Sequence, residues 1–177
     1  VVKQSDMQRI NTRFNADFSM TKILTMGLNV AFTNIEKTVF DDGVNFYTSP
    51  TYLAMIKSGF LSPYTYTTSG ALTQNYQDAD IFGIGNPGAI IENSFEVNTS
   101  KQSRFNFGVK PEVKITPYLT FNTRFDYSFY NANEWAYRPM IGAADVYLNG
   151  ADTSENVIKN QLMSNNNFFS ETHLEYK

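Results

Sequence analysis

Aromatic and charged side chains concentrate in two stretches of the chain, and together they suit the binding of sugars or polypeptides. We predict as candidate substrate or partner contacts the three tyrosines of one stretch and the mixed cluster of the other: Tyr64, Tyr66, Tyr76, Glu134, Trp135, Tyr137 and Arg138. Aromatic faces stack on apolar ring surfaces, while carboxylates and guanidinium groups form strong hydrogen bonds. The alternative is that these side chains pack within their own loops or anchor an interface.

Catalytic or metal-binding chemistry has little support in the residue types present. The chain has one histidine, His173, and no cysteine, so thiolate sites and disulfides are excluded. No carboxylate pair has the spacing for general acid–base catalysis, and no nucleophile has a plausible base. We predict that the chain is not an enzyme and needs no cofactor or metal, and that His173 is a polar residue facing a water-filled lumen.

Two further motifs favour structural interpretations. Asp78 and Asp80, with Asn75 nearby, have oxygen ligands for Ca²⁺ but lack the spacing of a calcium loop, so a solvated loop is favoured. Gly83-Ile-Gly-Asn-Pro-Gly88 matches G-x-G-x-x-G. A dinucleotide site would need a strand before it and a helix opening at its last glycine. Neither element is evident, so we predict a tight surface turn.

Apolar and polar residues alternate with a period of two, which predicts strands near 8–20, 22–33, 101–115, 118–130 and 166–177. The first of these strands has Ile10, Phe14 and Phe18 on one face. Arginine, asparagine and aspartate occupy the other face. Each predicted strand therefore separates two very different environments.

The predicted connections are strongly unequal in length. Two are short turns, at Met20–Ile23 and Ile115–Tyr118, and two are long loops, 34–100 and 131–165. Ser49-Pro50 predicts a helix that Gly59 ends, and Ser154 predicts a second helix through about Met163. Compact soluble domains seldom have such long connections. Outer-membrane barrels do, with short periplasmic turns and long extracellular loops.

Alternation alone is typical of a soluble sheet with one wet face. The predicted strands are longer than the average of about 5–6 residues in soluble proteins, and the chain has 15 Phe and 11 Tyr. We therefore predict an all-β fold, a segment of an antiparallel transmembrane β-barrel. Five strands cannot close a barrel, so we expect both termini to be cuts in a longer chain. The net charge of −3 disfavours nucleic acid as a partner.

The order of segments resembles one protein family. Arg9-Ile-Asn-Thr-Arg-Phe-Asn-Ala-Asp-Phe and Thr21-Lys-Ile-Leu-Thr-Met-Gly-Leu resemble a hairpin of the SusC/RagA-type TonB-dependent transporters of Bacteroidetes. Ser49-Pro-Thr-Tyr-Leu-Ala-Met-Ile-Lys-Ser-Gly-Phe, Asp78-Ala-Asp-Ile-Phe-Gly-Ile-Gly-Asn-Pro and Ser103-Arg-Phe-Asn-Phe-Gly are similar to the loop and return strand that follow. The resemblance extends over essentially all 177 residues, although no single motif is diagnostic.

This resemblance implies a function that composition cannot indicate. Such proteins are barrels of about 22 strands with an N-terminal plug. They import oligosaccharides or peptides across the bacterial outer membrane with a SusD-like surface lipoprotein, powered through TonB. Residues 1–177 would form part of the barrel, without the plug, with the remaining strands and the TonB contact in other parts of the protein. The alternatives are a soluble or surface-attached carbohydrate-binding β-sheet module, and a barrel scaffold whose loops only dock partners. The substrate stays open.

Overall fold

A computed structural model describes residues 5–40, 49–142 and 156–177. In chain order the elements are β1 (Met7–Ser19), β2 (Leu24–Thr38), α1 (Pro50–Ile56), β3 (Tyr64–Tyr66), β4 (Leu72–Tyr76), α2 (Pro87–Ser94), β5 (Thr99–Thr116), β6 (Leu119–Arg138) and β7 (Val157–Tyr176). The long strands form a five-stranded sheet in the order β1-β2-β5-β6-β7, and β3 pairs with β4 separately. The structure is mostly antiparallel β-sheet, so the prediction of an all-β fold is confirmed.

Local hydrogen bonds explain the two short turns. Between β1 and β2, the Thr21 hydroxyl accepts hydrogen bonds from the N–H groups of Ile23 and Leu24, at 3.3 and 3.0 Å. The N–H of Met20 donates to the carbonyl of Leu24 at 3.0 Å. Between β5 and β6, the N–H of Tyr118 donates to the Thr116 hydroxyl at 3.2 Å. Hydroxyl side chains of this kind close turns by replacing backbone acceptors.

The two predicted long loops extend too far into the neighbouring strands. β2 continues to Thr38, β6 continues to Arg138, and β7 already begins at Val157, so residues assigned to the loops belong to strands. The helix predicted from Ser154 through about Met163 is wrong in its described part, which is strand. The reason is that a short isolated helix is marginal, whereas pairing with β6 satisfies the backbone groups of β7 that face it.

Both helices begin with a capping residue followed by proline. The Ser49 hydroxyl accepts a hydrogen bond from the N–H of Tyr52, which confirms the predicted start of α1, although the helix ends at Ile56, before Gly59. Asn86 caps α2 in the same way, and Pro87 takes its first position. The prediction of a tight turn at Gly83–Gly88 therefore did not include the start of α2 within this segment.

The chain divides into two compact units. Among the described residues, the loop unit comprises 5–7, 37–40, 49–100, 134–142 and 156–161, and the sheet unit comprises 8–36, 101–133 and 162–177. In the loop unit α1 packs against α2, and the buried apolar side chains of the two helices are Pro50, Leu53, Ala89 and Ile90. Burial in the described residues is therefore concentrated around the two helices.

The sheet unit leaves large apolar side chains exposed. Phe14, Phe125 and Phe168 are 55%, 42% and 70% exposed. The rings of Phe125 and Phe168 lie 6.5 Å apart, so aromatic contacts join neighbouring strands across this apolar face. Neither helix described here has the length and apolar character needed to span a bilayer.

Candidate functional site

The β3–β4 hairpin brings two of the three predicted tyrosines together. Tyr64 lies opposite Tyr76, and their rings stack with centroids 5.1 Å apart and planes 20° from parallel. Tyr66 lies opposite Leu72 after an irregularity in the register, and it is 62% exposed. The two stacked tyrosines form a small aromatic platform that Tyr66 does not join.

An open recess of about 840 Å³ adjoins this platform. Its lining includes phenol, carboxamide, carboxylate and aliphatic groups, among them Tyr64, Tyr76, Asn75, Glu92, Asn93 and Ile141. This mixture can bind either a sugar ring or a peptide, because stacking surfaces and hydrogen-bonding groups lie side by side. The lining includes neither Tyr66 nor any of the four candidates on β6.

The phenol of Tyr76 stays neutral at physiological pH. Its pKa is raised mainly by burial, and further by the hydrogen bond with Tyr64 and by the charges of Tyr64 and Glu92. A raised pKa in a phenol keeps the hydroxyl group protonated, so the hydroxyl group retains its proton for hydrogen bonding. The hydroxyl group of Tyr76 is therefore a neutral polar group at the edge of the platform.

The predicted cluster on β6 is divided by the geometry of the strand. All four residues lie within β6, where successive side chains point to opposite faces. Glu134 and Arg138 therefore share one face, and Trp135 and Tyr137 share the other. Adjacency in sequence does not make a single site here, because a strand separates neighbours that a loop could bring together.

Tyr137 has a structural role in the loop unit. Its hydroxyl donates to Asn156 Oδ1 at 2.9 Å, and its backbone N–H donates to Asn98 Oδ1. Asn156 Oδ1 also accepts from the N–H of Met140 at 2.7 Å. On the same face, Trp135 is 42% exposed and remains accessible to a ligand.

The other face of β6 carries Glu134 and Arg138. The backbone carbonyl of Glu134 accepts a hydrogen bond from Asn160 Nδ2 at 3.3 Å. Arg138 Nε is buried and has no hydrogen-bond partner among the described residues. Of the seven predicted residues, Tyr64 and Tyr76 form the best-defined group, and the four on β6 form no common recess with them.

Asn86 organises the loop unit, although the sequence pattern predicts only a turn at this residue. Its side chain is fully buried, and its Nδ2 donates to the carbonyls of Pro63 and Gln77 at 2.7 and 2.6 Å. Its Oδ1 accepts from the N–H groups of Gly88 and Ala89, at 3.1 and 3.3 Å. The first amides of α2 are thus satisfied internally, which leaves them no role in holding a phosphate. The signal available in the sequence was Asn followed by Pro, the same cap as Ser49-Pro50.

Asp80 lies at a buried ion pair, which corrects its interpretation as part of a solvated loop. Its Oδ2 lies 3.1 Å from Lys57 Nζ, with side-chain exposures of 1% and 9%. Its Oδ1 accepts from the N–H groups of Phe82 and Ile84, at 2.9 and 3.0 Å. Asp78 Oδ1 accepts from the N–H of Gly142 at 2.6 Å. Because these carboxylate oxygens accept hydrogen bonds from the protein itself, they stabilise the fold of the loop.

The loop unit is expected to lose stability in acid because of Asp80. Burial by itself raises the pKa of this carboxyl, but the Ile84 N–H, Lys57 and the Phe82 N–H outweigh it, and the net pKa is lowered from 3.8. A lowered folded-state pKa gives stability that is present above 3.8 and is lost as the pH falls through the lower folded value. Proteolysis of the loop unit as a function of pH should therefore rise below about pH 4, and this rise should be absent in Asp80→Asn.

His173 lies on β7 in the sheet unit, in a shallow recess of about 380 Å³. The recess contains three carboxylates, from Glu112, Glu171 and Glu175. In the part of the chain that the structure describes, no group of three or more His, Asp or Glu side chains has the arrangement to hold a metal ion. His173 therefore belongs to a charged polar surface.

Comparisons with known proteins assign no family to this arrangement. No protein-family model matches the sequence. No curated protein matches it either.

Proposed function

We propose that this chain forms part of the barrel wall of a TonB-dependent importer in the bacterial outer membrane, of the SusC/RagA type that its sequence resembles. The observation that supports this most strongly is the exposed apolar face of the sheet unit, where Phe14, Phe125 and Phe168 are 55%, 42% and 70% exposed. In water a long apolar sheet face is an aggregation site. In a bilayer the hydrocarbon solvates it.

Strand length supports the same proposal. β5, β6 and β7 have 18, 20 and 20 residues. A tilted strand needs about 9–11 residues to cross the hydrocarbon core. Each of these strands is therefore long enough to span the membrane and extend beyond it.

The opposite face of the sheet unit suits a water-filled interior. Arg124 and Asp126 pair on it, and Asn29 donates from Nδ2 to Asn15 Oδ1 at 2.6 Å. Charged and carboxamide groups of this kind are costly against lipid, whereas the lumen of a large barrel accepts them. The two faces thus match the two solvents of a barrel wall.

The proposed partners follow from the family that the chain resembles. The segments between β2 and β5 and between β6 and β7 would be exposed at the cell surface, and their aromatic recess would contact the SusD-like lipoprotein or an oligosaccharide or peptide substrate. The plug and the TonB contact would come from other parts of the protein. Further strands would pair with β1 and β7, the outer strands of the described sheet, because lipid does not tolerate an open sheet edge.

A second candidate function is a soluble or surface-attached carbohydrate-binding module. The stacked pair of Tyr64 and Tyr76 beside Glu92 favours it, since such a recess needs no membrane. The exposed apolar sheet face counts against it, because a soluble module would cover that face.

Fractionation of the full-length natural protein tests the two candidates. We expect the protein to stay in the membrane pellet after washes with high salt and alkaline carbonate, and to be released only by detergent, because burial of the apolar face in lipid would not depend on charge. Recovery in the aqueous fraction without detergent would contradict the importer and favour the soluble module. A surface-attached module would instead be released by cleavage of its anchor.

A further inference from the structure

We propose that the polar face of the sheet unit contains an oxyanion-binding site in which Arg13 is the principal cation, and that its ligand is a carboxylate- or sulfate-bearing solute. This inference rests on the proposed function for its biological role, since it names the class of solute that the barrel interior would bind. The site itself is argued from the residues of the sheet unit.

The site is an open recess of about 730 Å³ to which all five long strands contribute. Besides the hydroxyl groups of one serine and one tyrosine, its polar lining consists of two arginines, one aspartate and three asparagines: Arg13, Arg124, Asp126, Asn29, Asn106 and Asn167. Asparagine offers both donors and acceptors but no charge. The charge of the lining is therefore set by the two arginines and the aspartate.

Arg124 and Asp126 neutralise each other. Arg124 Nε donates to Asp126 Oδ2, and the Arg124 guanidinium lies 6.0 Å from the centre of the Phe169 ring. A Cβ atom at position 108 would lie 2.5 Å from Asp126 Oδ1, so Gly108 provides the space that this carboxylate occupies. The pair is held in place by a neighbouring strand and an aromatic ring.

Arg13 is left as the unpaired cation of the recess. It is exposed, and it has no ion pair among the described residues. With Arg124 and Asp126 paired, the lining has a net charge of +1. A guanidinium group is a planar fork that binds carboxylate, sulfate and phosphate through two parallel hydrogen bonds.

The second recess on the same face has the opposite charge, which makes the first one selective. Its lining has three carboxylates, from Glu112, Glu171 and Glu175, and the cation Lys110, while the charge of Arg124 is already engaged by Asp126. An anionic group is repelled by these carboxylates and attracted to Arg13. A neutral solute experiences neither force, so only an anion is directed to one of the two recesses. This difference places the oxyanion at Arg13.

Binding to the purified full-length protein in detergent tests the site. The probes are digalacturonate, its uncharged methyl ester, and inorganic sulfate as a competitor. Arg13→Gln keeps a similar size and removes the charge. We expect it to weaken digalacturonate binding about tenfold, because charge-assisted hydrogen bonds are lost, and to leave binding of the ester unchanged. Competition by sulfate would extend the site to oxyanions in general, and a lack of competition would restrict it to carboxylates.

Arg9→Gln is the matched control. Arg9 lies on the same strand and the same face, but outside the recess, and its Nε donates to Asn11 Oδ1 at 3.1 Å. This variant removes the same charge, so it should change digalacturonate binding less than about twofold once salt screens distant charges. Equal effects of the two variants, or equal affinities for the acid and the ester, would overturn the proposal.

The result also separates this inference from the proposed function. If the protein is water-soluble but still binds the acid through Arg13, the importer is contradicted and the oxyanion site stands. If the protein is embedded in the membrane but shows no preference for the acid, the oxyanion site alone fails.

Discussion

If the sheet forms a barrel wall as proposed, substitution of Phe125 by arginine is expected to prevent assembly in the outer membrane. Phe125 is 42% exposed on the apolar face and contacts Phe168 on the neighbouring strand. It lies six residues beyond Leu119, the first residue of β6. At about 3.3 Å per residue this is about 20 Å along the strand. In the proposed barrel wall, a tilt of about 45° would convert this to about 14 Å of depth, close to the midplane of the bilayer.

The expected cost follows from that depth. An arginine that faces lipid at the midplane of a barrel destabilises it by about 2–4 kcal/mol. This is a large part of the stability of a typical protein, so folded Phe125→Arg should be strongly depleted in the outer-membrane fraction. Its free energy of unfolding, measured in urea after reconstitution into vesicles, should fall by the same amount.

The matched control is Asn122→Arg, three residues away on the opposite face. Asn122 lines the recess that contains Glu112, Glu171 and Glu175, where an added positive charge meets carboxylates. This variant should fold and accumulate like the natural protein. If Phe125→Arg assembles as well as Asn122→Arg, the apolar face does not contact lipid and the proposed function is wrong.

The sheet was predictable because alternation is a local property of each strand. The two short turns and the residues of the apolar face follow from the two-residue period and the hydroxyl-containing turns. The ends of β2, β6 and β7 next to the long connections could not be predicted from this period. Pairing with β6 keeps β7 extended from Val157, although the sequence predicts a helix over this segment. The two strands meet only in the folded sheet, so the sequence around Val157 does not indicate this pairing. Such tertiary pairing overrides a weak local propensity.

The candidate site was predictable only in part. Aromatic content identified Tyr64 and Tyr76, but their stacking depends on the register of the β3–β4 hairpin. Glu134 and Trp135 are adjacent in sequence and were predicted as one cluster. On β6 they point to opposite faces, because side chains alternate along a strand. The buried contacts of Asn86 and Asp80 join segments far apart in the chain, so nothing local to either residue indicates its partners.

The ion pair of Lys57 and Asp80 provides the second large effect, in the loop unit. Replacing Asp80 by alanine leaves Lys57 with 9% of its side chain exposed and no carboxylate beside it, and also removes the acceptor of the Phe82 and Ile84 N–H groups. Breaking a buried pair on one side costs about 3–5 kcal/mol, because the remaining charge is uncompensated. We expect Asp80→Ala to make the loop unit cleavable by protease under conditions in which the natural protein resists.

Two further variants separate this ion pair from a general effect of charge. Glu36→Gln breaks the ion pair with Lys101, which is 2.9 Å long but has side chains 46% and 63% exposed, so it should change stability by less than about 1 kcal/mol. Lys57→Met combined with Asp80→Ala removes both buried charges and should recover part of the lost resistance, because no unpaired ammonium remains. If the double variant is as sensitive as Asp80→Ala, the stabilisation comes from the backbone hydrogen bonds of Asp80 and not from its pairing with Lys57.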